Sequence, residues 1–299
     1  MFYSLIAFNK KEQLLVKSLN RFSDRKILVY GVNCDVPFDS DNMIKKRIIF
    51  TFYFYNGYFV QSRNFDIQKV GDLKWIKTNF DLEKISNFID EVAIINISSE
   101  DYREEFLFNL KEISKNFLIP IIAGGKIKTI DDVNSYFKNG CDKVIINSII
   151  HKNPNIINEI SKIYGSQSIV ASVDLKKVEN NYLIFTENGK KKIKTEPKKV
   201  IKEICEMNIG EILLRSIDKD GSGQGLDFNL LNFIPDDSLK NVILSGGIGN
   251  TLHIENGLKN ENVNAVCTGN LFNFINDELK NTREILLNKN FNLPSWNHL

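Results

Sequence analysis

From Arg47 onward one pattern repeats: a short dry run rich in Ile, Val and Phe, then an amphipathic stretch, then another dry run. The dry runs are Ile48–Phe54, Val92–Ile97, Ile119–Ala123, Lys143–Asn147, Ile169–Asp174, Glu211–Ser216, Asn241–Ser245 and Asn264–Thr268. A strand that is apolar on both faces must be covered on both, which is the condition of a parallel sheet wrapped by helices. Eight such strands in strict alternation with helices predict a closed (β/α)8 barrel, with an open doubly wound sheet as the alternative.

The stretches between them fit. DDVNSYFKNG, NPNIINEISKIYG and EPKKVIKEICEMNIG read as helices, two of them ending in a glycine suited to a C-cap. Asn153 before Pro154 is expected to be an N-cap. Asn56-Gly57 marks a turn after the first strand, with YFVQS as a second, hairpin strand. The segment PIIAGGKIKTIDDV recurs loosely as NVILSGGIGNTLHI, its Gly-Gly pair displaced by 122 positions. Two similar half-barrels are therefore expected, each with its own phosphate cradle.

The expected layout is a short N-terminal extension of unknown role, residues 1–46, and a barrel over residues 47–299. EQLLVKSLNRF reads as a helix and KILVYGV as a strand in that extension. Charge is nearly balanced, +2 from 39 basic and 37 acidic residues, so nothing argues for nucleic acid or an anionic membrane. No apolar run is long enough to span a bilayer, and the N-terminus is a poor signal peptide. Cys34, Cys141, Cys205 and Cys267 lack CxxC spacing, which points to reduced, buried thiols and a cytoplasmic location. His151, His253 and His298 are too scattered for a zinc site; no metal and no cofactor are expected.

Several residues carry candidate chemistry. Gly124-Gly125 and Gly246-Gly247 end strands three and seven, where glycine lets N–H groups approach an anion; paired glycines also make simple tight turns. Asn147-Ser148 and Gly269-Asn270 would complete the two cradles. Asp218, Asp220 and Gly221 lie in SIDKDGSGQG after strand six, either as acid, base or hydroxyl-positioning groups or as a solvated turn. Asp174 ends a dry strand, where a carboxylate is costly unless paired or used; Lys176 and Lys177 are the nearby alternatives for a salt bridge. About the same offset, 121 positions, carries Asp174 back onto Tyr53, so the repeat pairs an acid with a phenol. Arg47, Glu91, Lys143 and Glu211 precede strands one, two, four and six. They are either ordinary strand-flanking charge or an alternating ring over the barrel axis.

With these motifs in place, the chain from Arg47 to about Asn292 resembles the cyclase subunit of imidazole glycerol phosphate synthase. The resemblance is carried by GSQSIVASVD, GEILLRSIDKDG, GCDKVIINS and VILSGGIGN. It implies a barrel paired with a glutaminase of the class I amidotransferase kind. Ammonia would enter at the N-terminal face and react with a bis-phosphorylated substrate at the C-terminal face. It implies that Arg47, Glu91, Lys143 and Glu211 are an ammonia gate, that Asp142 meets the glutaminase, and that Asp174 is one of two catalytic aspartates. Tyr53 stands where the other belongs. Further departures share that mouth: Gln61 for a basic phosphate ligand, Lys126 for a third glycine, Arg215 for a polar residue, and Asn96 for an acid.

The ammonia end thus matches the family while the substrate end is rewritten. This resembles a cyclase-like branch that, with a dedicated glutaminase, supplies ammonia for amidating a surface-polysaccharide sugar. A nucleotide-sugar or other phosphorylated ligand and a third, ATP-dependent sugar-amidating enzyme are the partners so implied. The rivals are a histidine-pathway cyclase/lyase and a non-catalytic scaffold that activates a glutaminase.

Overall fold

The structure is a computed structural model that describes residues 45–269 and 275–294. The expected extension therefore falls almost wholly outside the described residues, as do Cys34, His298 and Asn270. The strands are β1 (Arg47–Tyr55), β2 (Tyr58–Arg63), β3 (Asp66–Gly71), β4 (Glu91–Asn96), β5 (Ile121–Gly124), β6 (Lys143–Ile146), β7 (Ile169–Val178), β8 (Asn181–Thr186), β9 (Lys191–Lys192), β10 (Glu211–Ser216), β11 (Asn241–Ser245) and β12 (Ala265–Thr268). Eight of them run parallel in the order β10, β11, β12, β1, β4, β5, β6, β7, and β7 pairs with β10 to close the ring. Closure leaves the eight barrel strands without a free edge, so this is the (β/α)8 barrel and not the open sheet.

Both faces of each barrel strand are buried, in two separate clusters. On β1, Ile48, Phe50, Phe52 and Phe54 pack outward with the helices. Ile49 and Tyr53 face inward with Ala93, Ile122, Ile145, Val170, Leu213, Ile243 and Ala265. The alternation follows from the two-residue strand period, and it explains why the sequence is dry yet not periodic. Phe50, Phe52 and Phe59 meet edge to face, with centroids 5.1 and 5.9 Å apart. Truncating any of these buried rings to alanine removes about 3–5 kcal/mol.

Outer helices include Arg103–Ser114, Ile130–Lys138, Asn155–Tyr164, Pro197–Glu206, Thr251–Lys259 and Ile275–Asn288. The second begins in a full capping box between Thr129 and Asp132. The last is tied to the barrel's N-terminal end by a buried ion pair, Arg283 Nη2 to Asp90 Oδ1 at 2.9 Å; Asp90 Oδ2 accepts from Ile48 N.

Three features depart from strict strand–helix alternation. The Asn56-Gly57 turn is present with both residues in the left-handed region, and β2 folds back on β1 with Tyr53 opposite Val60. A third strand, β3, lengthens that excursion, and β7 continues into a second one through β8 and β9. Between β10 and β11 the described element is a 3-10 helix, Phe228–Phe233, in place of an α-helix. Asn153 is not an N-cap: Pro154 takes that place, and the Asn153 N–H donates to Ile149 O to end the preceding turn. The glycines behave as expected, Gly165 capping its helix at φ 83° and Gly140 following the previous one at φ 98°.

Candidate functional site

The N-terminal end of the barrel holds a closed ring of charge. Arg47 Nη1 meets Glu91 Oε1 at 2.7 Å and its Nη2 meets Glu211 Oε2 at 2.8 Å. Lys143 Nζ lies 2.7 Å from Glu91 Oε1 and 2.7 Å from Glu211 Oε1. The four come together because each opens its strand and points inward, in step with Ile49, Ala93, Ile145 and Leu213 one layer above. Burial alone would discharge them. Instead Lys143 and Arg47 hold the Glu211 carboxyl below its usual range, and the two glutamates hold Lys143 above its own. Breaking such a buried network by removing one partner costs about 3–5 kcal/mol. One atom is left over: Glu91 Oε2 is buried and accepts no hydrogen bond.

At the opposite end, Tyr53, Asp174 and Arg215 sit on the inward face of β1, β7 and β10. Asp174 is buried; Asn147 Nδ2 donates to its Oδ2 at 3.1 Å and Ser172 Oγ approaches its Oδ1 at 3.4 Å. Burial raises its pKa, and Arg215 opposes the rise. Arg215, not Lys176 or Lys177, is the nearby cation: its Nε lies 3.6 Å from Asp174 Oδ1, while both lysines are exposed. The Arg215 Cζ is 5.6 Å from the centroids of both Tyr53 and Phe65. Each cation–π contact contributes about 0.5–2 kcal/mol, a partial offset for burying the guanidinium. Burial also pushes the Tyr53 phenol well above its ordinary value, so it stays protonated. A phenol in that state can donate a hydrogen bond but cannot act as a carboxylate base.

The two Gly-Gly turns hold left-handed backbone. A Cβ on Gly125 (φ 90°) would lie 1.9 Å from Asn96 O, and one on Gly247 (φ 101°) 2.0 Å from Gly225 O. Lys126 keeps a left-handed φ of 57°, a conformation favouring glycine, with its side chain exposed. A small cleft opens beside the second turn, lined by Tyr53, Gln61, Ser62, Asp220, Gly221, Ser245, Gly246, Gly247, Ile248, Cys267, Thr268 and Gly269. The first turn has different surroundings. Ser148 Oγ accepts from Glu187 N at 3.3 Å, so the tip joining β8 to β9 lies on that side.

The aspartates after β10 part ways. Asp218 is exposed and accepts from Lys177 N at 2.6 Å. Asp220 is buried, and its Oδ2 accepts from Ser62 Oγ and from Phe65 N. Both hold an excursion to the barrel, Asp218 through backbone and Asp220 through backbone and the Ser62 hydroxyl. Asn96 is buried and accepts from Ser98 N. Asp142 is half-buried and accepts from Ile121 N at 2.9 Å. Phe65 was not singled out by the sequence; its signal is only Asn64-Phe65, both left-handed at φ 52° and 69°. Among the described residues, no group of three or more His, Cys, Asp or Glu could hold a metal ion, and no helix is long and apolar enough to cross a membrane.

Residues 81–277 match the family described as Histidine biosynthesis protein. A Parasynechococcus marenigrum (strain WH8102) protein bearing the name imidazole glycerol phosphate synthase subunit hisF2 is 39% identical over 244 residues, which is 81% of this chain and 90% of that one. The imidazole glycerol phosphate synthase subunit HisF of Leptospira biflexa serovar Patoc is 34% identical over 203 residues, 67% of this chain and 80% of its own. HisF of Campylobacter concisus (strain 13826) is 33% identical over 247 residues, covering 82% and 96% respectively.

Proposed function

The chain belongs to the HisF family of imidazole glycerol phosphate synthase cyclase subunits, and from that premise we propose that it receives ammonia from a partner glutaminase for the amidation of a surface-polysaccharide sugar. The observation that carries the first half is the ring. Four charges satisfied by one another form a polar constriction on the barrel axis, which a small neutral molecule passes when one side chain swings aside. The unpartnered Glu91 Oε2 is an acceptor suited to an N–H of ammonia. At the same end of the barrel, Leu118 and Leu239 precede β5 and β11 and are 72% and 98% exposed, apolar side chains available to a docked protein. Asp142 lies at the same face.

The second half rests on the mouth. Ring closure in the histidine pathway needs an acid–base pair, and here a protonated phenol stands opposite an aspartate that is hydrogen-bonded to Asn147, with the Arg215 guanidinium 3.6 Å away as its counter-charge. Loss of one such partner lowers a rate on the order of 10²–10⁴-fold. The Gly246-Gly247 turn and its cleft suit a phosphate group of a nucleotide sugar or similar ligand, with Gly269 in the same lining. In this reading the barrel conveys ammonia to a separate ATP-dependent enzyme that activates the acceptor. The names of the relatives favour a second reading, a working histidine-pathway cyclase. Complementation separates them: a bacterium lacking its own cyclase subunit should stay a histidine auxotroph when it expresses this chain. Robust growth without histidine would establish the second reading instead.

A further inference from the structure

The Arg215 side chain is 9% exposed, yet its Nε is buried with no hydrogen-bond partner. A guanidinium carries five donors in a planar fork, and a buried one is normally matched by oxygens. The nearest carboxylate, Asp174, stands 3.6 Å off, beyond hydrogen-bond reach, and Asn147 and Ser172 approach its oxygens. The other acid of the mouth, Asp220, is taken up by Ser62 and Phe65. Tyr53 and Phe65 stand against the guanidinium without supplying an acceptor in hydrogen-bond reach, and Tyr53 and Asp220 also line the cleft. The site therefore keeps a buried cation with an unspent donor, packed against Tyr53, itself part of the cleft lining. Aromatic flanks suit a flat, two-oxygen partner, whereas the glycine turns present backbone N–H groups suited to a phosphate.

We propose that Arg215 is the recognition residue for a carboxylate on the small molecule bound at the C-terminal mouth. The inference rests on reading that mouth as a ligand site, and it narrows the ligand to one bearing a carboxylate beside any phosphate. A carboxylate in that place is also the functional group whose amidation consumes ammonia.

The test is a titration of the full chain labelled with ¹³C,¹⁵N-arginine, following the Arg215 Nε–H signal, which is assigned by its loss in Arg215→Gln. Malonate is the probe, with inorganic phosphate and chloride compared at equal ionic strength. The expected result is a saturable shift with malonate, none with chloride, and a weaker response to phosphate, whose tetrahedral shape fits the aromatic flanks less well than a planar carboxylate. Calorimetry with Arg215→Lys, which keeps the charge but loses the fork, should show malonate binding weakened by about tenfold. No malonate shift, equal response to phosphate, or full affinity in the lysine variant would each overturn the proposal. Neither readout involves a glutaminase or ammonia, so failure of that larger reading would leave this result distinct.

Discussion

Asp142 illustrates how one side chain can be bound by its own fold while sitting at a proposed partner surface. Its carboxyl accepts from Ile121 N, and burial pushes its pKa from 3.8 up to about 6. An acid whose folded pKa is raised binds more protons folded than unfolded between those two values. Its contribution is thus fully present below about pH 4 and is lost as pH rises through about 6, by up to about 3 kcal/mol. Asp142→Asn keeps an acceptor for Ile121 N and removes the charge. At pH 7.5 the variant should melt several degrees higher than the parent, and the two should converge near pH 4. Parallel melting-temperature curves from pH 4 to 8, followed by circular dichroism, would show that the carboxylate is not strained there. Tyr53 and Arg215 teach the complementary lesson: their places on β1 and β10 were legible in the sequence as departures from a pattern. Their mutual approach was not, because 162 positions separate them and no local signal encodes a pairing that barrel closure creates.

At the scale of elements, the eight strands and the Gly-Gly repeat were readable because burial on both faces leaves an unbroken apolar run. Of the excursions β2–β3 and β8–β9, only the Asn56-Gly57 turn and the strand after it, β2, were legible. Strands β3 and β9 are mostly exposed, so no hydrophobic pattern marks them. What fixes the first excursion is distant: Asp220 accepts from Ser62 Oγ and Phe65 N, and its own carbonyl accepts from Asn64 N at 2.9 Å. Asp220→Ala should therefore speed amide exchange across residues 62–66 by about tenfold or more while exchange in β4 and β11 stays slow. Equal protection in parent and variant would mean that the β2–β3 ladder alone holds the tip. The Gly247 turn is the other element under close constraint. Gly247→Ala places a Cβ 2.0 Å from Gly225 O at a left-handed φ, which should destabilise the barrel by about 2 kcal/mol or more, read as a lower denaturation midpoint in urea. A midpoint unchanged from the parent would show that the turn shifts freely.

For the molecule as a whole, the two ends of one barrel axis carry different chemistry. The N-terminal end assembles Arg47, Glu91, Lys143 and Glu211 into a closed ring of ion pairs, while the C-terminal end brings together Tyr53, Asp174 and Arg215. A barrel that kept a polar constriction only for stability would gain little, since apolar residues of similar size serve a core as well or better. The central claim is that this ring passes ammonia from a docked glutaminase. Lys143 bridges both glutamates, and Lys143→Met leaves each of them its bond to Arg47, so the barrel should stay folded. The direct measurement is sedimentation velocity of the chain mixed with the glutaminase subunit from the same genome, together with the ratio of glutamate formed to acceptor amidated. The parent should form a stable complex with a ratio near one, and Lys143→Met should raise that ratio severalfold or weaken the complex. Absence of any complex, or a Lys143→Met protein with the same affinity and the same ratio, would contradict the account.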